Sequence, residues 1–209
     1  MGEQNFSVIK DLRGYFEEGQ RKAIFEAAQN HRDKVLIRLL WITGRRISEI
    51  LNVKICEINF QDNQISFHIE KKTHKVNGVR QKKDLVRLKP IDIKTSIMLK
   101  AYVNEVGLRS DQYLFESEFK PGYPITRQRA FEIVRNCALK AGITKVGSTA
   151  PHPHHFRHSY AIDMAKKLKT PGDLRKLQMI MEHANLAVTE QYLQFADWEL
   201  REMVEEIGD

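Results

Sequence analysis

Cysteine is scarce: the 209 residues hold two, Cys56 and Cys137, and neither sits in a partner motif. That argues against a disulfide framework or a cysteine-built metal cage, so both read as reduced, buried thiols of a cytosolic protein. Long apolar runs are missing too. No stretch approaches the ~18 residues that suggest a spanning helix. The start, MGEQNFSVIKDLRGYF, has no apolar core of the kind a secretory signal needs. Its Met-Gly opening carries Phe6 where an acylation signal has Ser or Thr. There is no internal repeat, no low-complexity tract, no Gly-rich phosphate loop and no catalytic acid pair. Membrane, secreted, solenoid and nucleotide-loop classes drop out, and a cytoplasmic location is expected.

What is present favours a folded chain with an anionic partner. Apolar residues make up 42% of the sequence, enough for a core, and the length suits one domain or one domain with a small appendage. Lys and Arg number 34 against 27 acids, for a net charge of +7. A basic balance points to nucleic acid first and a membrane surface second, with a solvated basic surface as the plain alternative. The charge is uneven. From Glu70 to Lys100 lie ten Lys and Arg residues against three acids, whereas 197–209 is acidic. This pattern reads as a DNA-facing middle and a tail that docks on protein, on a chain associated with the nucleoid.

Coarse periodicity predicts mostly helix. EEGQRKAIFEAAQN (17–30) reads as a helix with Ile24 and Phe25 inward. In 32–51, Val35, Leu36, Leu39 and Leu40 recur at helical spacing. The Thr43-Gly44 pair breaks that helix, and a new one starts with Arg46 and Glu49 one turn apart on the same face. Three β signals follow: Val53, Ile55 and Ile58–Phe60; the alternation of Ile65, Phe67 and Ile69; and the alternation of Val86 and Leu88. Asn77-Gly78 is a turn signal between the second and third runs. One small antiparallel sheet is expected, with its most basic segment as a hairpin. Helices are then expected over 97–106, over a stretch with Ala130, Ile133, Val134, Cys137 and Ala138 (N-cap Thr126), over 154–168, 173–181 and 188–195, and in a final stripe of Leu200, Met203, Val204 and Ile207. The fold class is mainly α with a small antiparallel β-sheet (α+β).

Three stretches carry the chemistry: TGRRISEIL, PHPHHFRHSYA and MEHANLAVTEQYLQF. Arg46 suits a phosphate clamp, because a guanidinium stays charged and donates two hydrogen bonds to non-bridging oxygens. Glu49 would orient it from behind; the plain alternative is a surface Arg–Glu pair. His154 and Arg157, at i and i+3, leave one face of a helix. His152, His155 and His158 crowd the same stretch, which admits a zinc reading, but no nearby carboxylate or thiol completes a site and Arg157 would repel a cation. Tyr192 lies nine residues after His183. Alone it reads as a half-buried core residue. Beside arginines and an imidazole its phenol, ordinarily with a pKa of about 10, becomes a usable nucleophile.

Together, in this order, the three stretches resemble the three boxes of the tyrosine recombinases, the phage integrase family, over roughly Tyr15 to Phe195. The resemblance implies that family's catalytic-domain fold and assigns roles by position. Arg46 matches the first catalytic arginine, His154 and Arg157 the His-x-x-Arg pair, His183 the His/Trp position and Tyr192 the nucleophile. The family's catalytic lysine sits on a β-hairpin; Lys72 in HIEKKTHK is the best match, with Lys71 and Lys75 as competitors. Arg45 replaces a usually apolar residue, and Met181-Glu182 stands where Leu-Gly is typical. Only about fifteen residues precede the catalytic region. The expectation is therefore an excised catalytic domain or a short integrase without the N-terminal clamp: an extension at 1–14, the catalytic domain at 15–196 and an amphipathic tail at 197–209.

The implied chemistry is strand exchange. Tyr192 attacks a phosphodiester to form a 3′-phosphotyrosyl link, Arg46 and Arg157 hold the non-bridging oxygens, Lys72 protonates the leaving 5′-oxygen, His154 handles the tyrosine proton and His183 hydrogen-bonds the phosphate. The covalent link stores the bond energy, so neither cofactor nor metal is expected. Double-stranded DNA is the expected partner, gripped by Lys71, Lys75, Lys82, Lys83, Arg127, Arg129 and Arg135, with a homo-oligomer (a tetramer) on DNA and a monomer without it. The rival readings are a type IB topoisomerase, a DNA-binding module without catalysis and a metal-dependent nuclease.

Overall fold

The computed structural model describes residues 14–70, 74–76, 79–81, 84–167 and 181, with backbone alone at 70, 74–76, 79–81 and 84. Among them the helices are α1 (Glu18–Ala27), α2 (His31–Thr43), α3 (Ile47–Leu51), α4 (Ile93–Val106), α5 (Arg127–Lys140) and α6 (Pro153–Ala165). The strands are β1 (Ile58–Asn59), β2 (Gln64–Glu70), β3 (His74–Val76), β4 (Val79–Gln81) and β5 (Asp84–Pro90). This is the expected mainly α fold with a small antiparallel sheet. The chain divides into two compact units, 28–133 and 1–27 with 134–209. The helices expected at 188–195 and in the tail, and 173–181 apart from Met181, lie outside the described residues.

In the unit of residues 28–133, α2 starts at Asn30, whose side chain accepts the Asp33 N–H at 2.8 Å, and stops at Gly44 (φ 61°). Only glycine takes that left-handed backbone at no steric cost, so the predicted break falls where expected. Val35, Leu36, Leu39 and Leu40 are fully buried, and α2 packs on α4. Arg38 joins the two, donating from Nε to Thr95 Oγ1 and from Nη2 to Asp92 Oδ2, both at 2.9 Å. Burial alone would raise the Asp92 carboxyl, but the Thr95 hydroxyl and backbone N–H and the Arg38 charge outweigh it and hold it below the usual range. Asp92 also caps α4, accepting the Thr95 N–H at 3.0 Å, so α4 begins at Ile93, four residues before the expected start.

The sheet order is β1-β2-β5, antiparallel throughout. Ile65, Phe67 and Ile69 are buried as their alternation predicts, and α3 packs against β2. One expectation needs correction. The Val53–Phe60 run is mostly a 3-10 turn (Ile55–Glu57), fixed by the Lys54 N–H on Glu57 Oε2 at 2.7 Å, with a strand of two residues. Val86 and Leu88 lie opposite His68 and Ser66, which puts them on the outer face, 48% and 65% exposed. Alternation reveals a strand but not which face is covered. The turn signal Asn77-Gly78 falls between Val76 and Val79, which pair in an antiparallel β3–β4 ladder, in line with the expected basic hairpin. The last β2–β5 pair is Glu70↔Asp84 and the first β3–β4 pair is His74↔Gln81, so three positions separate the ladders on one side and two on the other, and the ladders share no common register.

In the other unit, the second half of α5 buries Val134, Cys137 and Ala138. Cys56, by contrast, is exposed, because its 3-10 turn lies at the surface; the expectation of a buried thiol holds for Cys137 alone. Helix α6 buries Phe156, Ala161, Ile162 and Ala165, and the Phe16 and Phe156 rings lie 4.8 Å apart. Each fully buried Phe or Ile side chain of this kind contributes about 1.5–3 kcal/mol. Ser159 fixes the register: its Oγ accepts the Phe16 N–H at 2.9 Å and lies 2.8 Å from the Phe16 carbonyl. Arg21 on α1 forms a two-pronged pair with Asp163 on α6. Among the described residues no helix is long and apolar enough to cross a membrane.

Candidate active site

Arg46 sits just before α3, not within it. Its backbone is extended (φ −66°, ψ 145°), at the N-cap position. The expected same-face pair with Glu49 is therefore made differently. The Glu49 carboxylate reaches back, accepting the Arg46 N–H on Oε2 at 3.2 Å and Arg46 Nη1 on Oε1 at 2.8 Å. A carboxylate in the first turn of a helix satisfies an otherwise orphan N–H and suits the positive end of the helix. Glu49 is 5% exposed, whereas the Arg46 side chain is 43% exposed. Glu49 thus holds Arg46 both at its backbone and at one guanidinium nitrogen while the side chain stays 43% exposed, a posture that suits an anion clamp.

Arg45 is the neighbour that the sequence pattern left unexplained. It is buried at 6% exposure, with its guanidinium carbon 5.5 Å from the Phe67 ring centroid and Nη1 4.0 Å from Glu49 Oε2. Two guanidiniums thus flank one buried carboxylate. Arg45 precedes the helix, so helical spacing did not reveal this pairing; burial of the Arg45 side chain brings it about.

Helix α6 carries His154 and Arg157. His154 is exposed at the first turn and lies edge-on to His158, 4.6 Å between centroids. Arg157, one turn on, is 4% exposed and donates from Nη2 to the backbone carbonyl of Met181. The guanidinium therefore links α6 to the position two residues before His183. His155 is buried, and burial first, then the neighbouring imidazoles of His152, His158 and His154, pushes it down to about 3. Burial lowers His152 too. Nδ1 of both rings accepts a backbone N–H, so two lone pairs that a metal would need are already in use.

The remaining candidates divide plainly. Arg127, Arg129 and Arg135 stand on the exposed side of α5, opposite its buried stripe, and Arg129 pairs with Glu132 at 3.2 Å. The backbone of Lys75 lies in β3, paired with Arg80. Lys71, Lys72, Lys82, Lys83, His183 and Tyr192 lie outside the described residues. Within each unit the structure joins Arg46 to Glu49 and Arg45, and places His154 and Arg157 on one helix.

Comparison with known proteins agrees with this frame. The chain is 29% identical over 202 residues to a tyrosine recombinase XerA from Pyrococcus horikoshii, covering 97% of this chain and 64% of that protein. It is 29% identical over 179 residues to a tyrosine recombinase from Pseudothermotoga lettingae, covering 86% of this chain and 55% of the relative. The chain thus spans roughly three-fifths of the length of these relatives. Among solved structures, a XerA recombinase superposes with a TM-score of 0.69 at 26% identity, over 92% of this chain and 62% of that one. A XerH recombinase bound to palindromic difH substrate in a post-cleavage complex superposes with a TM-score of 0.72 at 20% identity, over 95% and 54%, and speaks for the fold. Residues 15–198 match the phage integrase family over most of the chain, and the chain belongs to that family.

Proposed function

We propose that this chain is the catalytic portion of a site-specific DNA recombinase that cuts and rejoins strands through a 3′-phosphotyrosyl link on Tyr192. The observation that carries the reading is the span of the family match, 15–198, which contains Arg46, His154, Arg157, His183 and Tyr192 in the family's order. The posture of Arg46, oriented by Glu49 with its side chain partly exposed, supports its reading as a clamp on the scissile phosphate. Arg157 is the second clamp. Donors aimed at the developing charge of a phosphoryl transition state contribute roughly 3–4 kcal/mol each. His154, exposed one turn before Arg157, handles the tyrosine proton; His183 hydrogen-bonds the phosphate; and Lys72, with Lys71 and Lys75 as alternatives, protonates the leaving 5′-oxygen. Residues 15–196 act as the catalytic domain, 1–14 as an extension and 197–209 as a tail that couples copies in a tetramer on DNA, on the nucleoid of the cytoplasm.

Double-stranded DNA is the substrate, held through Lys71, Lys75, Lys82, Lys83, Arg127, Arg129 and Arg135. Incubating the protein with nicked suicide duplexes, drawn from a library of candidate sites, is expected to yield a covalent adduct mapping to Tyr192, and Tyr192→Phe is expected to abolish it. An adduct that survives the substitution overturns the nucleophile assignment. Relaxation of supercoiled plasmid without any two-site recombination replaces the recombinase reading with a topoisomerase one.

A further inference from the structure

A helix start normally takes its side-chain acceptor from Ser, Thr, Asp or Asn. Helix α6 uses two histidines. The His154 N–H points at His152 Nδ1 at 3.3 Å, and the His152 N–H points at His155 Nδ1 at 3.2 Å. A backbone N–H can only donate, so both Nδ1 atoms carry a lone pair and each ring's proton sits on Nε2. The rest of the network agrees. His155 Nε2 lies 3.1 Å from Thr149 Oγ1 and donates to it, and the Thr149 hydroxyl donates onward to the Val146 carbonyl at 3.3 Å. The two rings stack with centroids 3.7 Å apart, and His155 meets the Phe16 ring edge-on at 5.4 Å.

We propose that His152 and His155 are positioning residues, a latch of two neutral imidazoles that holds the first turn of α6 and thereby the side chains of His154 and Arg157. Its consequence for DNA chemistry rests on the recombinase reading; the latch itself does not. His154 lies within the latched turn, and its own N–H is one of the two capped groups. Arg157 follows one turn later. A proton added to either Nδ1 turns an acceptor into a donor facing an N–H. It also places a cation at the positive end of α6 against a stacked imidazole. Among the described residues, the groups facing the pair include the imidazoles of His154 and His158, the Thr149 hydroxyl and the Phe16 ring. Asp163, further along α6, pairs with Arg21. Burial acts in the same direction, pushing both imidazoles toward the neutral form. The latch therefore holds at neutral pH and opens in acid.

The test uses the full chain, labelled with ¹⁵N in histidine. Long-range proton–nitrogen spectra at pH 7.5 are expected to show both His152 and His155 as Nε2–H tautomers, and a proton on either Nδ1 overturns the proposal. Two variants extend the test. His152→Ala removes one acceptor and is expected to lower adduct yield at least about fivefold, the cost of a lost cap. The double variant His152→Ser/His155→Gln rebuilds the cap as the Ser-x-x-Gln arrangement that does not titrate. It is expected to restore the yield and to shift the acid limb of both yield and helix stability to lower pH. An unchanged acid limb in the double variant also overturns the latch. The spectra and stability curves need no DNA, so absence of adduct from the unmodified chain counts against the recombinase reading and leaves the latch to be decided by the spectra.

Discussion

Replacing Glu49 by Ala is the sharpest test of how Arg46 is held. The carboxylate accepts the Arg46 backbone N–H at 3.2 Å and its Nη1 at 2.8 Å, and it lies 4.0 Å from Arg45 Nη1. Glu49 and Arg45 are both buried, at 5% and 6% exposure. Removing one member of a buried ion pair costs about 3–5 kcal/mol, because the remaining charge loses its counterion in a low-dielectric setting. Against a total domain stability of about 5–15 kcal/mol that is a large fraction. With a urea dependence of about 1–3 kcal/mol per molar, the unfolding midpoint falls by roughly 2 M. Glu49→Gln keeps an acceptor for the Arg46 N–H and loses only the charge, so it costs less, about 1–3 kcal/mol. Arg45→Met/Glu49→Ala removes the buried charge together with its counterion. Its total loss is expected to fall short of the sum of the single variants by at least about 1 kcal/mol. A Glu49→Ala protein within about 0.5 kcal/mol of the parent, the range of an ordinary surface substitution, refutes the buried-cluster account. So does strict additivity in the double variant.

Acid stability follows from His155. Its folded value is depressed to about 3 from an ordinary 6.5, so the unfolded chain binds the extra proton first. The stabilisation is complete above about pH 6.5 and is lost as pH falls from there toward 3, at most about 2 kcal/mol by pH 5. Urea midpoints at pH 7.5 and 5.0 check this, and His155→Gln is expected to flatten the difference. Ser159→Ala leaves the Phe16 N–H without its 2.9 Å acceptor at a fully buried site. The cost is about 1–3 kcal/mol, read by thermal unfolding, and a change below 0.5 kcal/mol on the ordinary-substitution scale argues against the Phe16–Ser159 tie. DNA affinity is expected to fall steeply between about 50 and 200 mM salt, because phosphate contacts release counterions. A flat profile in filter binding counts against the lysine and arginine surface.

Much of the helical frame was legible in the chain. The apolar spacing of α2 and α5 and the breaker at Gly44 were read correctly, because burial of one stripe and a left-handed stop leave direct marks on the residue pattern. The β2 alternation was legible for the same reason. The start of α4 was missed although Asp92 and Thr95 carry it, since a cap is a three-residue signal without periodicity. The Val86 and Leu88 alternation marked β5, but a strand pattern fixes which residues share a face and leaves open which face meets the core; here they lie on the outer one.

The sequence by itself determined the order of the chemical groups: Arg46, His154, Arg157, His183 and Tyr192, with residue types that suit phosphate and proton transfer. It also determined the fold class, because these follow from local patterns that read directly from the letters. Only the tertiary structure decided posture. It put Arg46 on an extended cap with its side chain partly exposed, set a second, buried guanidinium beside Glu49, and turned His152 and His155 into backbone acceptors. It also tied Arg157 to the Met181 carbonyl. Those outcomes depend on ring orientation, burial and contacts between distant residues, which no spacing along the chain specifies.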